Sequence, residues 1–132
     1  MDEARVDALV AAARDARAHA HAPYSGFAVG AAIAAGGRTF LGVNVENASY
    51  PVAACAERNA VAAMVVSGTR DPHAVAIVTD AKRPTPPCGA CRQALSEFGA
   101  ETLVVVAETL GGARAAWSLG ELLPVPFERE RP

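Results

Sequence analysis

Two short, unbroken apolar runs limit the architectures open to this chain more than any other feature. AVAIVTD (74–80) and TLVVVAE (102–108) are each about as long as a strand and show no polar alternation. Runs of this kind belong to strands buried on both faces, so layers must cover both sides of whatever sheet they join. Between them lie a proline-punctuated loop, AKRPTPP, and a short helical stretch, CGACRQALSEF, that ends at Gly99. Strands separated by helices imply a central sheet with helices packed on its two faces.

The remaining segments fit that frame. Residues 3–20 carry Val6, Leu9, Val10 and Ala13 at helical spacing among charged residues, which predicts an amphipathic helix. APYSG interrupts it. FAVGAAIAA and RTFLGVNV flank Gly36-Gly37 and predict a β-hairpin in which Phe27 begins the first strand. ENASYPVA is turn-like, and from about Cys55 the run CAERNAVAAMVVS predicts a helix that stops at Gly68. Gly111-Gly112 turns the last apolar strand back into ARAAW, an antiparallel edge, and SLGELLP offers a capping box of Ser118 and Glu121. The expected fold is α/β: a three-layer α/β/α sandwich around a mixed five-stranded sheet, with residues 1–132 forming one domain.

Charge and cysteine content narrow the function. The chain has 52% hydrophobic and 20% charged residues and a net charge of −2 without a run of like charges, which speaks against binding nucleic acid through phosphate contacts. The N-terminus is charged throughout and lacks the apolar core of a signal peptide, and no segment approaches the ~20 apolar residues that span a bilayer. A cytoplasmic location, where thiols stay reduced, is expected. The three cysteines are an odd count that suits a disulfide framework poorly.

Those cysteines lie at two helix starts. Cys88 and Cys91, in PPCGACRQ, share one face of a first helical turn, and Cys55 opens the helix of AACAERNA. Helix N-termini favour thiolate, and three soft thiolates with C-x-x-C spacing favour zinc. His19, His21 and His73 have no ligand spacing to a cysteine and read as surface residues. Three protein ligands then leave one position open, the mark of a catalytic rather than a structural zinc. Glu57, two residues after Cys55, is placed to move protons at that position. Zinc with three thiolates would carry net negative charge, so a cation should draw charge from the sulfurs. Arg58 and Arg92 both adjoin the motif, and the role is assigned to Arg58.

C-A-E followed by P-C-x-x-C is the known signature of zinc-dependent deaminases in their three-cysteine form. HAPYSGFAVGAA, GVNVENASY, CAERNA, PPCGACRQ and LLPVPF together resemble, in order, the small homotetrameric cytidine deaminases, from about Tyr24 to Phe127. The resemblance implies one zinc per chain on Cys55, Cys88 and Cys91, and Glu57 as the proton shuttle. It implies Asn44 and Glu46 on the ribose hydroxyls, Phe27 packed on the pyrimidine, and the Ala56 N–H donating to the base carbonyl. Tyr24, Ala48, Tyr50 and Phe127 match positions that approach the nucleoside, some from a neighbouring subunit. The implied reaction is hydrolysis of cytidine, and of deoxycytidine, to uridine or deoxyuridine and ammonia in pyrimidine salvage, without nucleic acid or membrane partners. Rival readings are a deaminase for a nucleoside-like antibiotic of the blasticidin type, a tRNA or DNA base editor, and a zinc-stabilised binding module without chemistry.

Overall fold

A computed structural model describes all residues, 1–132. The alternation of the apolar runs becomes a five-stranded sheet of order β2-β1-β3-β4-β5. Its strands are β1 (Gly30–Ala35), β2 (Arg38–Val43), β3 (Pro72–Thr79), β4 (Val104–Thr109) and β5 (Arg114–Ser118). The two apolar runs, β3 and β4, lie side by side and parallel, and every other pairing is antiparallel. A parallel pair needs a crossover, and the segment between β3 and β4 supplies it with helix α3 (Gly89–Ser96). The sheet is thus mixed, as expected.

Period-two alternation along the central strands sorts their side chains between two cores. Ala31, Ile33 and Ala35 of β1 join Val75 and Ile77 of β3 against α2 (Ala56–Val66), with Met64 and Leu95 filling the layer. Ala32, Ala74, Ala76 and Val78 face the other way, onto Leu9, Val10 and Ala13 of α1 (Glu3–Arg17). Ile33 and Met64 are wholly buried, each worth about 1.5–3 kcal/mol relative to exposure. The α1 face of the sheet is largely alanine, which lets the helix lie close. At Gly30 the approach is closest: a Cβ there would stand 2.0 Å from the Ala13 carbonyl oxygen.

The hairpin turn forms at Gly36-Gly37, both with φ positive (59° and 73°), as a type I′ turn requires. The capping box at Ser118 and Glu121 forms at the start of α4 (Leu119–Leu122). Two expectations shift. Helix α1 ends at Arg17 rather than residue 20. Phe27 does not begin a strand, because β1 starts only at Gly30. The reason is local: the Phe27 carbonyl and the Val29 N–H are taken by the Asn44 side chain, and the Phe27 N–H by the Ser25 hydroxyl.

Candidate metal centre and active site

Cys55 is the N-cap residue of α2, Cys88 the N-cap of α3, and Cys91 the third residue of α3. Neither N-cap cysteine spends its side chain on capping. Instead the three sulfurs converge within 4.8 Å of one another, with Cys88–Cys91 at 3.4 Å and Cys55–Cys88 at 3.9 Å. Two helix N-termini therefore aim their partial positive charge at one cluster of thiols. His19, His21 and His73 are exposed and stand outside it.

The approach of α2 to the sheet depends on a residue that the sequence reading passed over. A Cβ at Gly42 of β2 would lie 2.2 Å from the Ala56 carbonyl oxygen and 2.4 Å from the Ala60 nitrogen. Only glycine lets the first turn of α2, with Cys55 and Glu57 at its head, rest on β2. The available signal was a glycine inside a strand, which often marks close backbone approach.

Without metal the three thiols are not equivalent. Cys55 is pulled down to about 5, chiefly by a hydrogen bond from the neighbouring Cys91 thiol and further by Arg58 and Cys88. Cys91 moves upward, because its proton serves Cys55 and because it is buried. Arg58 Nη2 lies 3.8 Å from Cys55 Sγ and also donates to the Ala53 carbonyl at 3.3 Å. Arg92, the other candidate for that contact, turns elsewhere. It donates to the Pro87 carbonyl at 2.8 Å and the Leu122 carbonyl at 2.9 Å, bracing the loop just before Cys88. Glu57 is only 6% exposed, and burial above all, with the Cys55 charge behind it, holds its carboxyl above the usual carboxylate range.

The substrate-side candidates form a second group. Phe27 is 37% exposed at the rim of the 24–29 loop. The Asn44 side chain accepts from the Val29 N–H and donates to the Phe27 carbonyl, both at 2.8 Å. Glu46 accepts from the N–H groups of Tyr24 (3.0 Å) and Ser25 (3.1 Å) and from the Ser25 hydroxyl, and these bonds depress its carboxyl. Asn44 and Glu46 thus pin the loop that carries Tyr24 and Phe27. Ala56 is the first residue of α2, so its N–H has no partner within the helix. Ala48 is exposed, Tyr50 is 77% exposed in a single 3-10 turn (Tyr50–Val52), and Phe127 is 74% exposed. Gln93 of α3, which the sequence reading did not single out, exchanges two hydrogen bonds with the Phe127 backbone, at 2.9 and 3.0 Å. A surface cavity of about 920 Å³ lies against Arg38, Pro72 and Leu103 at the other end of β3 and contains none of these groups.

The family model for the cytidine and deoxycytidylate deaminase zinc-binding region matches residues 4–107. The chain belongs to this deaminase family. It is 44% identical over 123 residues to the cytidine deaminase of Halalkalibacterium halodurans, covering 92% of this chain and 93% of the relative. To the cytidine deaminase of Sporosarcina psychrophila it is 40% identical over 126 residues, covering 95% and 93%. The crystal structure of cytidine deaminase from Burkholderia pseudomallei superposes with a TM-score of 0.89 at 45% identity, over 96% of this chain and all of that one. That from Mycobacterium leprae gives 0.79 at 41% identity, over 91% and 98%.

The thiol cluster of this deaminase chain fits the zinc that the family model names. Four-coordinate zinc with Zn–S bonds of about 2.3 Å sets neighbouring sulfurs about 3.8 Å apart. The Cys88–Cys91 and Cys55–Cys88 separations, 3.4 and 3.9 Å, bracket that value. Soft sulfur donors and a basic residue beside the most acidic thiol complete a site suited to one zinc ion.

Proposed function

We propose that this chain catalyses the hydrolytic deamination of cytidine, and of deoxycytidine, to uridine or deoxyuridine with release of ammonia. The observation that carries the reading is the buried carboxyl of Glu57 in the first turn of α2, whose N-cap Cys55 is one member of a three-sulfur cluster. Cys55, Cys88 and Cys91 are the ligands in this reading, and three of them leave one tetrahedral position for chemistry. Bound there, zinc supplies a Lewis acid that acidifies the attacking water.

Glu57 takes a proton from the water that attacks C4 of cytosine and delivers it to N3. A second transfer lets C4 expel the amino group as ammonia, so water and nucleoside are consumed one for one. Burial raises the Glu57 carboxyl, which suits a group that must hold a proton between two transfers. Arg58 draws charge from the Cys55 sulfur and so offsets the excess negative charge of three thiolates. The Ala56 N–H donates to the base carbonyl, and Phe27 packs on the pyrimidine. Asn44 Nδ2 keeps a second hydrogen and Glu46 keeps free lone pairs after their loop contacts, enough to hold ribose hydroxyls.

In this reading residues 1–132 act as one domain in a cytoplasmic homotetramer serving pyrimidine salvage, with a free nucleoside as substrate and neither nucleic acid nor membrane as partner. The bare aromatic rings of Tyr50 and Phe127 support an assembled site, since such surface suits cover by a neighbouring chain, as do the exposed Tyr24 and Ala48. The test is conversion of cytidine by purified protein beside Glu57→Ala. The parent is expected to form uridine, and the variant to keep its zinc and lose roughly 10²- to 10⁴-fold in turnover. Failure of both with zinc bound would remove cytidine as substrate and turn the search to nucleoside-like antibiotics.

A further inference from the structure

Helix α1 supplies no residue to the thiol cluster or to the group around Asn44, yet its last residue reaches both segments that flank the site. Arg17 Nε donates to the Ala28 carbonyl at 2.8 Å, in the middle of the loop that carries Phe27. Its Nη2 lies 3.5 Å from Asp80 Oδ2, at the start of the segment that runs from the end of β3 to Cys88. The side chain is 19% exposed, and its backbone is pressed under Gly30, where a Cβ would come within 2.8 Å of the Arg17 nitrogen. Guanidinium geometry matters here: a planar fork can serve two partners in different directions at once, which an ammonium on a flexible stem does poorly.

The Arg17 bond completes a pattern. Asn44 holds the Phe27 carbonyl and the Val29 N–H, Glu46 holds the N–H groups of Tyr24 and Ser25, and Arg17 takes the Ala28 carbonyl between them. Asn44 and Glu46 grip the loop from the β2 side. Arg17 is the one α1 side chain that hydrogen-bonds it.

We propose that Arg17 is a positioning residue for the deamination: it sets the position of Phe27 by tying the 24–29 loop to the segment leading to Cys88. The inference rests on the function proposed above, and it assigns to Arg17 no contact with the nucleoside. Arg14, one turn back, provides the contrast. It bonds Glu108 at 2.9 Å and the Thr109 and Leu110 carbonyls, so it fastens α1 to β4 and the turn after it, away from the loop.

The experiment is a cycle of Arg17→Met, Phe27→Ala and the double variant, with Arg14→Met as control, reading KM and kcat for cytidine, zinc content and Tm. Arg17→Met should raise KM about tenfold, the size expected from losing one charge-assisted hydrogen bond, with zinc content at the parental level. In the Phe27→Ala background the same change should cost less than about twofold, because its effect travels through that ring. Arg14→Met should lower Tm and leave KM parental. An Arg17→Met effect undiminished by Phe27→Ala, or a fall in Tm alone, overturns the proposal. If Arg17→Met does not fold, Arg17→Lys runs the same cycle: it keeps the charge facing Asp80 but loses the Nε donor, and a parental KM in it also overturns the proposal. Amide hydrogen exchange of residues 24–29 gives a readout independent of turnover and of cytidine. It should quicken about tenfold in Arg17→Met and not in Arg14→Met. Unchanged exchange refutes the pinning even in an active enzyme, whereas quickened exchange in a chain that fails to convert cytidine separates failure of the substrate reading from failure of this one.

Discussion

Gly42→Ala should cost this protein its metal as well as part of its stability. The added methyl would meet the Ala56 carbonyl oxygen at 2.2 Å and the Ala60 nitrogen at 2.4 Å, both backbone atoms of α2 that no rotamer change can move. Carbon-to-oxygen contacts settle at about 3.3 Å or more, so the helix must retreat from β2 by roughly 1 Å. Overpacking of this kind costs about 3 kcal/mol or more when backbone has to shift, which for a domain of this size lowers Tm by roughly 10 °C. The retreat also carries Cys55, the N-cap of α2, away from Cys88 on α3. Their 3.9 Å separation is close to the about 3.8 Å of a zinc–thiolate tetrahedron, and roughly 1 Å more exceeds it. Gly30→Ala is the matched control, since it is as crowded, 2.0 Å from the Ala13 oxygen, but on the α1 face, away from the thiols. Competition with a chromogenic chelator, read on the folded fraction of each variant beside its melting curve, decides the matter. Both variants should melt early, and only Gly42→Ala should surrender zinc at lower chelator concentration. Equal zinc retention in the two would refute the argument that Gly42 sets the position of Cys55.

Arg58→Gln should weaken zinc binding about 10- to 100-fold, the usual cost of removing a group that hydrogen-bonds a ligand, with Tm of the metal-free chain nearly unchanged because the side chain is exposed; parental affinity by chelator competition would show that Arg58 does not support the sulfur. In the metal-free protein Cys55 should alkylate with a midpoint near pH 5. The sign follows from the thiolate being the reactive form: a depressed thiol stays reactive at pH 6, where an ordinary thiol has lost more than 100-fold of its plateau rate. Peptide mapping after iodoacetamide treatment across pH 4–9 reads this directly, zinc should protect the site, and a midpoint in the ordinary thiol range would contradict the charge arrangement around Cys55.

Much of this molecule is legible from local chemistry. Continuous apolar runs identify β3 and β4 because a strand buried on both faces has no solvated side to mark. The paired glycines at 36 and 37 declare a turn because few other residues take positive φ twice in succession. The Cys55, Cys88 and Cys91 trio stands out because three thiols at helix starts suit a soft metal and an odd count suits a disulfide framework poorly. The strand and turn inferences need only neighbours within a turn or two of chain, and the trio needs only its two cysteine motifs taken together.

Tertiary structure alone decided what depends on distant segments meeting. Cys55 and Cys88 are 33 positions apart, and only the packing of α2 and α3 on one face of the sheet brings their sulfurs to 3.9 Å. The choice between Arg58 and Arg92 was open in sequence, since each adjoins the motif; helix direction sends one to the Cys55 sulfur and the other to the Pro87 carbonyl. Asn44 and Glu46 could have been solvated turn residues, but the 24–29 loop hydrogen-bonds to both side chains, which also keeps Phe27 out of β1. Gly42 and Gln93 lie within GVNVENASY and PPCGACRQ, yet those motifs give them no role, and Arg17 lies outside every motif. Their roles arise from backbone approach and from hydrogen bonds across 11 to 34 residues of chain, and neither periodicity nor local spacing encodes such distances.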